Sequence, residues 1–519
     1  MFLSDLIRVK LVLLFGLSIF SLAGEGIKAI DANASQEYKS GKGKALEVLL
    51  RPNPKSQLLD VGLSAYLGLK PGSSEIGTGL KLKSAGEYLI LKDSNGVIHR
   101  AKEINLGWRK LPIDPKTSLN YQVVGPFASF ESADRIASIL KNYSIEVRIA
   151  HPLDWEIWVD QGIQLPKGIS SKSNHQKLNF EIRPTLKLET GEVSLSGPLQ
   201  IEALDGLIWK GGNYLGPFSL KPDAYGTWTL IEHVPLERYL QGVVPYEIGS
   251  NSPSAALSAQ AVLARTWALA NKHRFLVDGY HLCSDVQCQV YKNPLKASLK
   301  IKKAIKKTSG KVLTWQGAPI SAVYHASNGG VMAGVEEAWS MSPLPYFKVK
   351  LDGQKAWKDD FILPLQNSSD IRRLLSSTDG SYGNTHRLFR WNRIYSSKEL
   401  KQELKKSLDI NLLGLPLEIK VRERGASGRV ISLEILSGEN KSIALLQLDK
   451  IRKTLRKLPS TLFVVNELQE GIWEFQGGGY GHGAGMSQSG AIDLAGKGWN
   501  EYEILMHYYP GTKYGTLRY

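Results

Sequence analysis

The chain is 519 residues long, 42% hydrophobic and 22% charged, a balance that suits several folded cores and excludes an intrinsically disordered chain. Lysine and arginine number 65 against 49 acids, a formal charge of +16 that favours a polyanionic partner: nucleic acid, a membrane surface or an acidic wall polymer. Two cysteines in the whole chain exclude a disulfide-stapled scaffold.

At the N-terminus, Arg8 and Lys10 precede an uncharged run from Leu11 to Gly24, with small Ser21 and Ala23 flanking a cleavage point after Ala23. This is the layout of a secretory signal over residues 1–23, so export to the periplasm or cell wall is expected and nucleic acid becomes the weakest partner. The run is shorter than the ~20 apolar residues of a spanning helix. No later segment is apolar and long enough to cross a bilayer, so no transmembrane helix is expected after signal cleavage.

Residues 24–44 carry no periodicity and read as a flexible linker. Short alternating runs between 45 and 115, such as LDVGLSAYLGL and GLKLKSAGEYLILKDSNGVIHR, predict an N-terminal β segment. Ser94, Asn95 and Gly96 stand between two strand-like runs, which is hairpin chemistry. Residues 116–165 differ: YQVVGPFASF, IEVRIA and WEIWV read as strands, and ESADRIASILKNY sets Ala133, Ile136, Ala137 and Leu140 on one side of a helix. This β-α-β-β stretch resembles the SPOR domain, which implies a module that holds glycan strands stripped of stem peptides. A polar linker is expected over 166–179, after which strands resume in a domain spanning 180–519. The fold class is therefore α+β, mostly β, with a small inserted β-α-β-β module and one long buried helix.

That helix is SNSPSAALSAQAVLARTWALANKH, where Ser252 is a natural N-cap and Pro253 suits the first helical position. Its sides are Ala, Leu, Val and Trp, with Gln260 and Arg265 as interior exceptions, so it should be buried all round. Just ahead lies VVPYEIG, in which Glu247 is a lone carboxylate among apolar neighbours. Desolvation raises a glutamate pKa toward neutrality, which makes a general acid. The residues alone leave a second reading open, in which Glu247 is the buried partner that Arg265 requires.

Further along, HLCSDVQCQVY gathers His281, Cys283 and Cys288. A short disulfide loop and a zinc site both fit, the latter needing a fourth ligand from elsewhere, such as His325. The run KASLKIKKAIKKTSGK reads as a solvated helix face. SAVYHASNGG ends in a polar turn with Tyr324, His325, Ser327 and Asn328. FQGGGYGHGAGMSQSGA carries His482, Ser487 and Gln488 among glycines that allow close backbone approach. It is neither a dinucleotide nor a Walker fingerprint, and no GxSxG elbow supports a serine hydrolase.

Six motifs follow one another: VPLERYLQGVVPYEI, ALSAQAVLARTWAL, CQVY, SAVYHASNGG, EEAW and GGGYGHGAGMSQSGA. In this order the chain resembles the SpoIID family, or SpoIID/LytB domain, from 180 to the C-terminus and more weakly from about 45 to 110. The resemblance implies a lytic transglycosylase that cleaves MurNAc–GlcNAc bonds of denuded peptidoglycan to 1,6-anhydroMurNAc, or a non-catalytic enhancer of a cell-wall amidase. It matches Glu247 to the family's catalytic glutamate. Tyr324, His325, Ser327, His482, Ser487 and Gln488 match motif residues expected to meet substrate in the same cleft, with Arg265, Gln289 and Tyr291 as structural neighbours. Some members bind zinc at the loop matching HLCSDVQC, but Gln287 stands where the family often has histidine, so His281, Cys283 and Cys288 depart from that pattern. A single-acid reaction requires no cofactor. Hydrolytic glycosidases use two carboxyl groups, and Glu336 and Glu337 are the candidates for a second. A denuded strand also exposes lactyl carboxylates, which suits the positive charge.

Overall fold

The computed structural model describes residues 57–70, 73–408, 414–437 and 442–516. The expected signal (1–23) and first linker (24–44) lie outside the described residues. The protein is α+β and mostly β. No described helix is long and apolar enough to cross a membrane.

The first strands are β1 (Leu58–Leu67), β2 (Leu80–Ser84), β3 (Leu89–Lys92), β4 (Ile98–Ala101) and β5 (Glu103–Phe127). The β3–β4 hairpin turns where expected: the Asp93 carboxylate accepts from the Asn95 and Val97 amides at 3.0 and 2.8 Å. After helix α1 (Phe130–Asn142) come β6 (Arg148–Ala150), β7 (Trp155–Asp160), β8 (Lys172–Leu188), β9 (Gly191–Ser194) and β10 (Leu199–Glu202). β11 (Leu207–Trp209), β12 (Gly212–Tyr214), β13 (Phe218–Pro222) and β14 (Trp228–Pro235) follow, then helix α2 (Leu236–Val244), helix α3 (Ser254–Ala270) and β15 (Leu282–Cys283). One sheet runs β15-β1-β14-β13-β10-β3-β4, and a second runs β12-β11-β2-β5-β7-β6 with β8 also on β5 and β9 on β8. Strand alternation turns Leu59, Val61, Leu89, Leu91 and Ile201 of the first sheet and Leu82 and Leu106 of the second into one hydrophobic core.

Two expected boundaries fall inside strands. β5 runs unbroken across 115/116, and β8 runs through most of the expected 166–179 linker and past 180, the two strands pairing antiparallel along their length. The linker composition misleads because these strand arms are polar and partly exposed, so little hydrophobic alternation marks them. The β-α-β-β order is present as β5, α1, β6 and β7. Ser129 caps α1 by accepting from the Ser132 amide, and Ala133, Ala137 and Leu140 face inward. This small core is continuous with Phe275, Tyr280 and Cys283 of the later chain, and Glu131 pairs with the buried Arg274.

α3 is buried on all sides, Gln260 and Arg265 included. Around it pack α2, α4 (Leu299–Lys307) and β16 (Lys311–Trp315). α4 buries Ile301, Ala304 and Ile305 while its lysines stay at the surface, as its pattern predicts. The Ser252 cap is not formed: its hydroxyl donates back to the Ile248 carbonyl at 2.6 Å, and Pro253 stands at the cap position without a side-chain bond. The preceding turn reclaims the hydroxyl before it can meet the helix's free amides.

Next come β17 (Ala318–Pro319), β18 (Tyr324–His325), β19 (Val331–Met332), β20 (Lys350–Leu351) and helices α5 (Lys355–Asp360) and α6 (Ser368–Ser376). A separate core around Tyr395, Leu433, Ile435 and Phe475 is built from β21 (Arg390–Ser396), α7 (Ser397–Leu408), β22 (Pro416–Arg424), β23 (Val430–Ser437), β24 (Ser442–Gln447), α8 (Asp449–Thr454), β25 (Phe463–Gln469) and β26 (Ile472–Gly478). The chain then returns to α3 through β27 (Met486–Ser487), α9 (Gln488–Gly496) and α10 (Glu501–Tyr508), and β28 (Lys513–Thr516) pairs with β16.

Candidate functional site

Glu247 sits in a single π-helical turn, Pro245–Gly249, between the end of α2 and the start of α3. Its side chain is partly buried, flanked by exposed Tyr246 and buried Ile248. Burial raises the carboxyl pKa above the ordinary glutamate value; the Val290 N–H, donating to Oε1 at 2.8 Å, and the side chains of Tyr324 and Gln488 oppose that rise without cancelling it. The carboxyl is thus shifted toward its protonated form, on a residue that is only partly buried. The buried hydroxyls of Tyr239 and Tyr324 face this charge, and neither completes a well-formed hydrogen bond of its own among the described residues.

Two distant chain segments supply the opposite wall. β18 pairs parallel with β27, Tyr324 opposite Met486 and His325 opposite Ser487, which delivers Tyr324 and Gln488 to the same carboxyl. Gly485 makes the approach feasible: its φ is +73°, and a Cβ there would stand 2.1 Å from the Val323 carbonyl oxygen. Ser487 caps α9, its oxygen accepting from the Gly490 amide at 3.2 Å. The Gln488 amide also donates to Oε1 of buried Gln260 at 3.3 Å, so α3 holds it in place.

The histidines form a second layer. His482 donates from Nε2 to the Tyr324 carbonyl at 2.9 Å and accepts the Ala484 amide on Nδ1 at 3.2 Å, and burial pushes its pKa down to about 3. His325 donates from Nδ1 to the Ala484 carbonyl at 3.1 Å, and burial holds it well below the usual histidine range. Both rings are neutral near pH 7 and brace the strands beneath Tyr324. Ser327 is buried and exchanges backbone hydrogen bonds with Tyr480 at 3.1 and 2.7 Å. Of the six residues expected to meet substrate, Tyr324 and Gln488 reach the carboxyl, while His325, Ser327, His482 and Ser487 shape its surroundings.

Arg265 does not pair with Glu247. Its guanidinium takes both carboxylate oxygens of Glu237 on α2 at 2.7 and 2.8 Å and the Lys311 carbonyl at 3.0 Å. Glu247 is thereby left without a cationic partner among the described residues, which is what allows its pKa to rise. Gln289 donates to the Ala264 carbonyl at 3.2 Å and Tyr291 to buried Glu232 at 2.8 Å, so both fasten the loop that follows β15. Glu337 is consumed by Ser427, whose amide reaches it at 3.1 Å, and lies beside Arg429; Glu336 keeps one buried oxygen without a hydrogen bond.

Cys283 and Cys288 form a disulfide with Cα atoms 5.7 Å apart, and Nδ1 of His281 accepts the Asp60 amide at 2.9 Å. The residues therefore do not fit the zinc reading of His281, Cys283 and Cys288: both sulfurs are bonded to each other, and one imidazole nitrogen is occupied. The disulfide instead anchors the loop whose Val290 amide meets Glu247.

Beside Tyr246 opens a cavity of about 280 Å³, lined among others by Trp209, Lys210, Tyr214, Lys292 and Lys296. Sequence reasoning missed these residues, together with Tyr239 and the Val290 amide. Gln260 did carry a signal, as a polar side chain inside an otherwise apolar helix.

Residues 224–315 match the family model described as stage II sporulation protein, SpoIID, and residues 333–485 match a domain of unknown function, DUF8618. An uncharacterized protein of Brachyspira hyodysenteriae (strain ATCC 49526 / WA1) is 27% identical over 356 residues, 66% of this chain and 83% of that protein. The amidase enhancer of Bacillus subtilis (strain 168) is 29% identical over 297 residues, 53% of this chain but only 40% of its own length. Stage II sporulation protein D of Bacillus amyloliquefaciens is 28% identical over 307 residues, 54% of this chain and 74% of its own.

Proposed function

We propose, from the premise that this chain is a member of the SpoIID family, that it acts on the cell wall as an exported lytic transglycosylase with Glu247 as its one acid and base. The observation that carries this reading is the carboxyl of the partly buried Glu247, raised in pKa by burial and met by Val290, Tyr324 and Gln488 with no cationic partner among the described residues. Protonated Glu247 donates to the glycosidic oxygen between MurNAc and GlcNAc as the bond to C1 breaks. The resulting carboxylate takes the proton of the MurNAc C6 hydroxyl, whose oxygen closes on C1 to give the 1,6-anhydro sugar. The Val290 amide and the Tyr324 and Gln488 side chains favour the carboxylate form and so hold charge at the moment of transfer. No water is consumed and no step passes through a metal. Trp209, Tyr214 and Tyr246 offer apolar faces for sugar rings, and Lys210, Lys292 and Lys296 offer charge for their carboxylates.

The test is product chemistry on glycan strands freed of peptides. The wild type is expected to leave anhydro ends detectable by mass spectrometry, and Glu247→Gln to leave at least about a hundredfold fewer, the scale of a lost general acid. Equal product from both removes Glu247 from the reaction. Product from neither favours the second reading, a non-catalytic wall-binding partner of an amidase, which the name of the Bacillus subtilis relative supports.

A further inference from the structure

A second cavity, about 320 Å³, lies outside the site described above, in the part of the chain built around β21 to β26. Its lining includes Arg393, Arg452, Arg456, Lys457 and Tyr480 and no acid. Lys457 is already neutralised by Glu399 at 2.7 Å. The three arginines are not: Arg393 donates only to the carbonyls of Lys457 and Asn392, at 3.1 and 2.6 Å, and neither Arg452 nor Arg456 has a carboxylate partner among the described residues. Also on α7, Glu403 spends an oxygen on the backbone amide of Arg456 at 3.1 Å. Most telling is Arg452, whose Nε is buried without a hydrogen-bond partner. A guanidinium is always charged, and leaving one desolvated and unpaired costs free energy that an incoming planar anion recovers by fork-like hydrogen bonding.

The cavity communicates with Glu247 through one loop. Tyr480, on the cavity wall, exchanges backbone hydrogen bonds with Ser327; two residues on, His482 holds the carbonyl of Tyr324, whose side chain meets Glu247. We propose that Arg452, Arg456 and Arg393, with Tyr480, form a subsite for a carboxylate of the glycan strand whose sugar bridge lies at Glu247. This rests on the function proposed above and adds to it a reason for acting on acidic strands: lactyl carboxylates recur along the strand, and one that reaches this cavity while a sugar bridge lies at Glu247 meets three guanidinium groups. Carboxylate and phosphate share the chemistry that three guanidinium groups recognise, so the test separates them.

The full chain carrying Glu247→Gln, which binds without cutting, is titrated with peptide-free glycan and with the same glycan after conversion of its carboxyls to methylamides. The acidic strand is expected to bind about tenfold more tightly, the worth of one good charge-assisted contact. Adding Arg452→Gln and Arg456→Gln is expected to reduce that ratio below about twofold. Equal binding of the two strands by the Glu247→Gln protein overturns the proposal, as does a tenfold ratio that survives the arginine changes. Lys210, Lys292 and Lys296 also meet strand carboxylates, so the arginine changes assign the preference to this cavity, and Arg456→Gln alone, at an exposed side chain, serves where the double variant unfolds. Inorganic phosphate is the control: if it binds in the Arg452-dependent manner while the two strands bind alike, the cavity is a phosphate site and the proposal falls. If the carboxylate preference holds but the wild type forms no anhydro ends, the transglycosylase reading fails alone.

Discussion

Glu247 owes its chemistry to what surrounds it and to what does not. Burial raises the pKa of this acid above the ordinary glutamate value, so under the proposed function kcat/KM should fall as pH rises through that pKa. Tyr324 favours the carboxylate, so Tyr324→Phe should move this descending limb to higher pH while lowering kcat, because the charge left after proton transfer loses a neighbour. An unshifted pH profile would leave Tyr324 a packing residue. At this scale the sequence was informative in part. A lone acid in VVPYEIG is legible as an oddity, and its two competing roles can be written down. The choice between them depended on Glu237, which lies on α2 and takes the guanidinium of Arg265. No spacing rule says which of two acids before a helix will face a buried arginine on it. The Val290 amide was illegible for another reason, since a backbone donor has no side-chain signature.

Among the elements, the loop closed by Cys283 and Cys288 carries the most consequence, because Val290 follows the second cysteine by two positions. Reduction, or Cys288→Ser, should cost about 2 kcal/mol for so short a loop. The same change should displace the alkaline limb upward, since the amide that favours the Glu247 carboxylate loosens; thermal melts and pH profiles with and without reductant measure both. Arg265→Ala breaks a bidentate pair whose arginine is fully buried and should destabilise by about 3 kcal/mol in denaturant titration, near the low end for buried pairs because partly exposed Glu237 regains water. Helix α3 was plain in the sequence, since its Ala, Leu and Val residues are interrupted only by scattered polar ones that form no stripe. The arms of β5 and β8 were not, since their polar residues pair through backbone hydrogen bonds that composition does not record.

For the whole molecule, the decisive fact is that β1 lies between β14 and β15, so strands from the beginning of the described chain complete a sheet begun by residues beyond 200. A fragment limited to 180–519 should therefore lack cooperative thermal unfolding, where the chain from 57 onward melts in a defined transition. A cooperative melt of the shorter fragment would show that β14 tolerates an open edge. The pairing of β18 with β27 has a temporal side as well. During synthesis Glu247 emerges long before Gln488, and until the late segment folds back its carboxyl lacks Gln488 and the pairing that holds Tyr324. Under the proposed function, a chain that ends before Gln488 should therefore leave no anhydro ends on glycan strands.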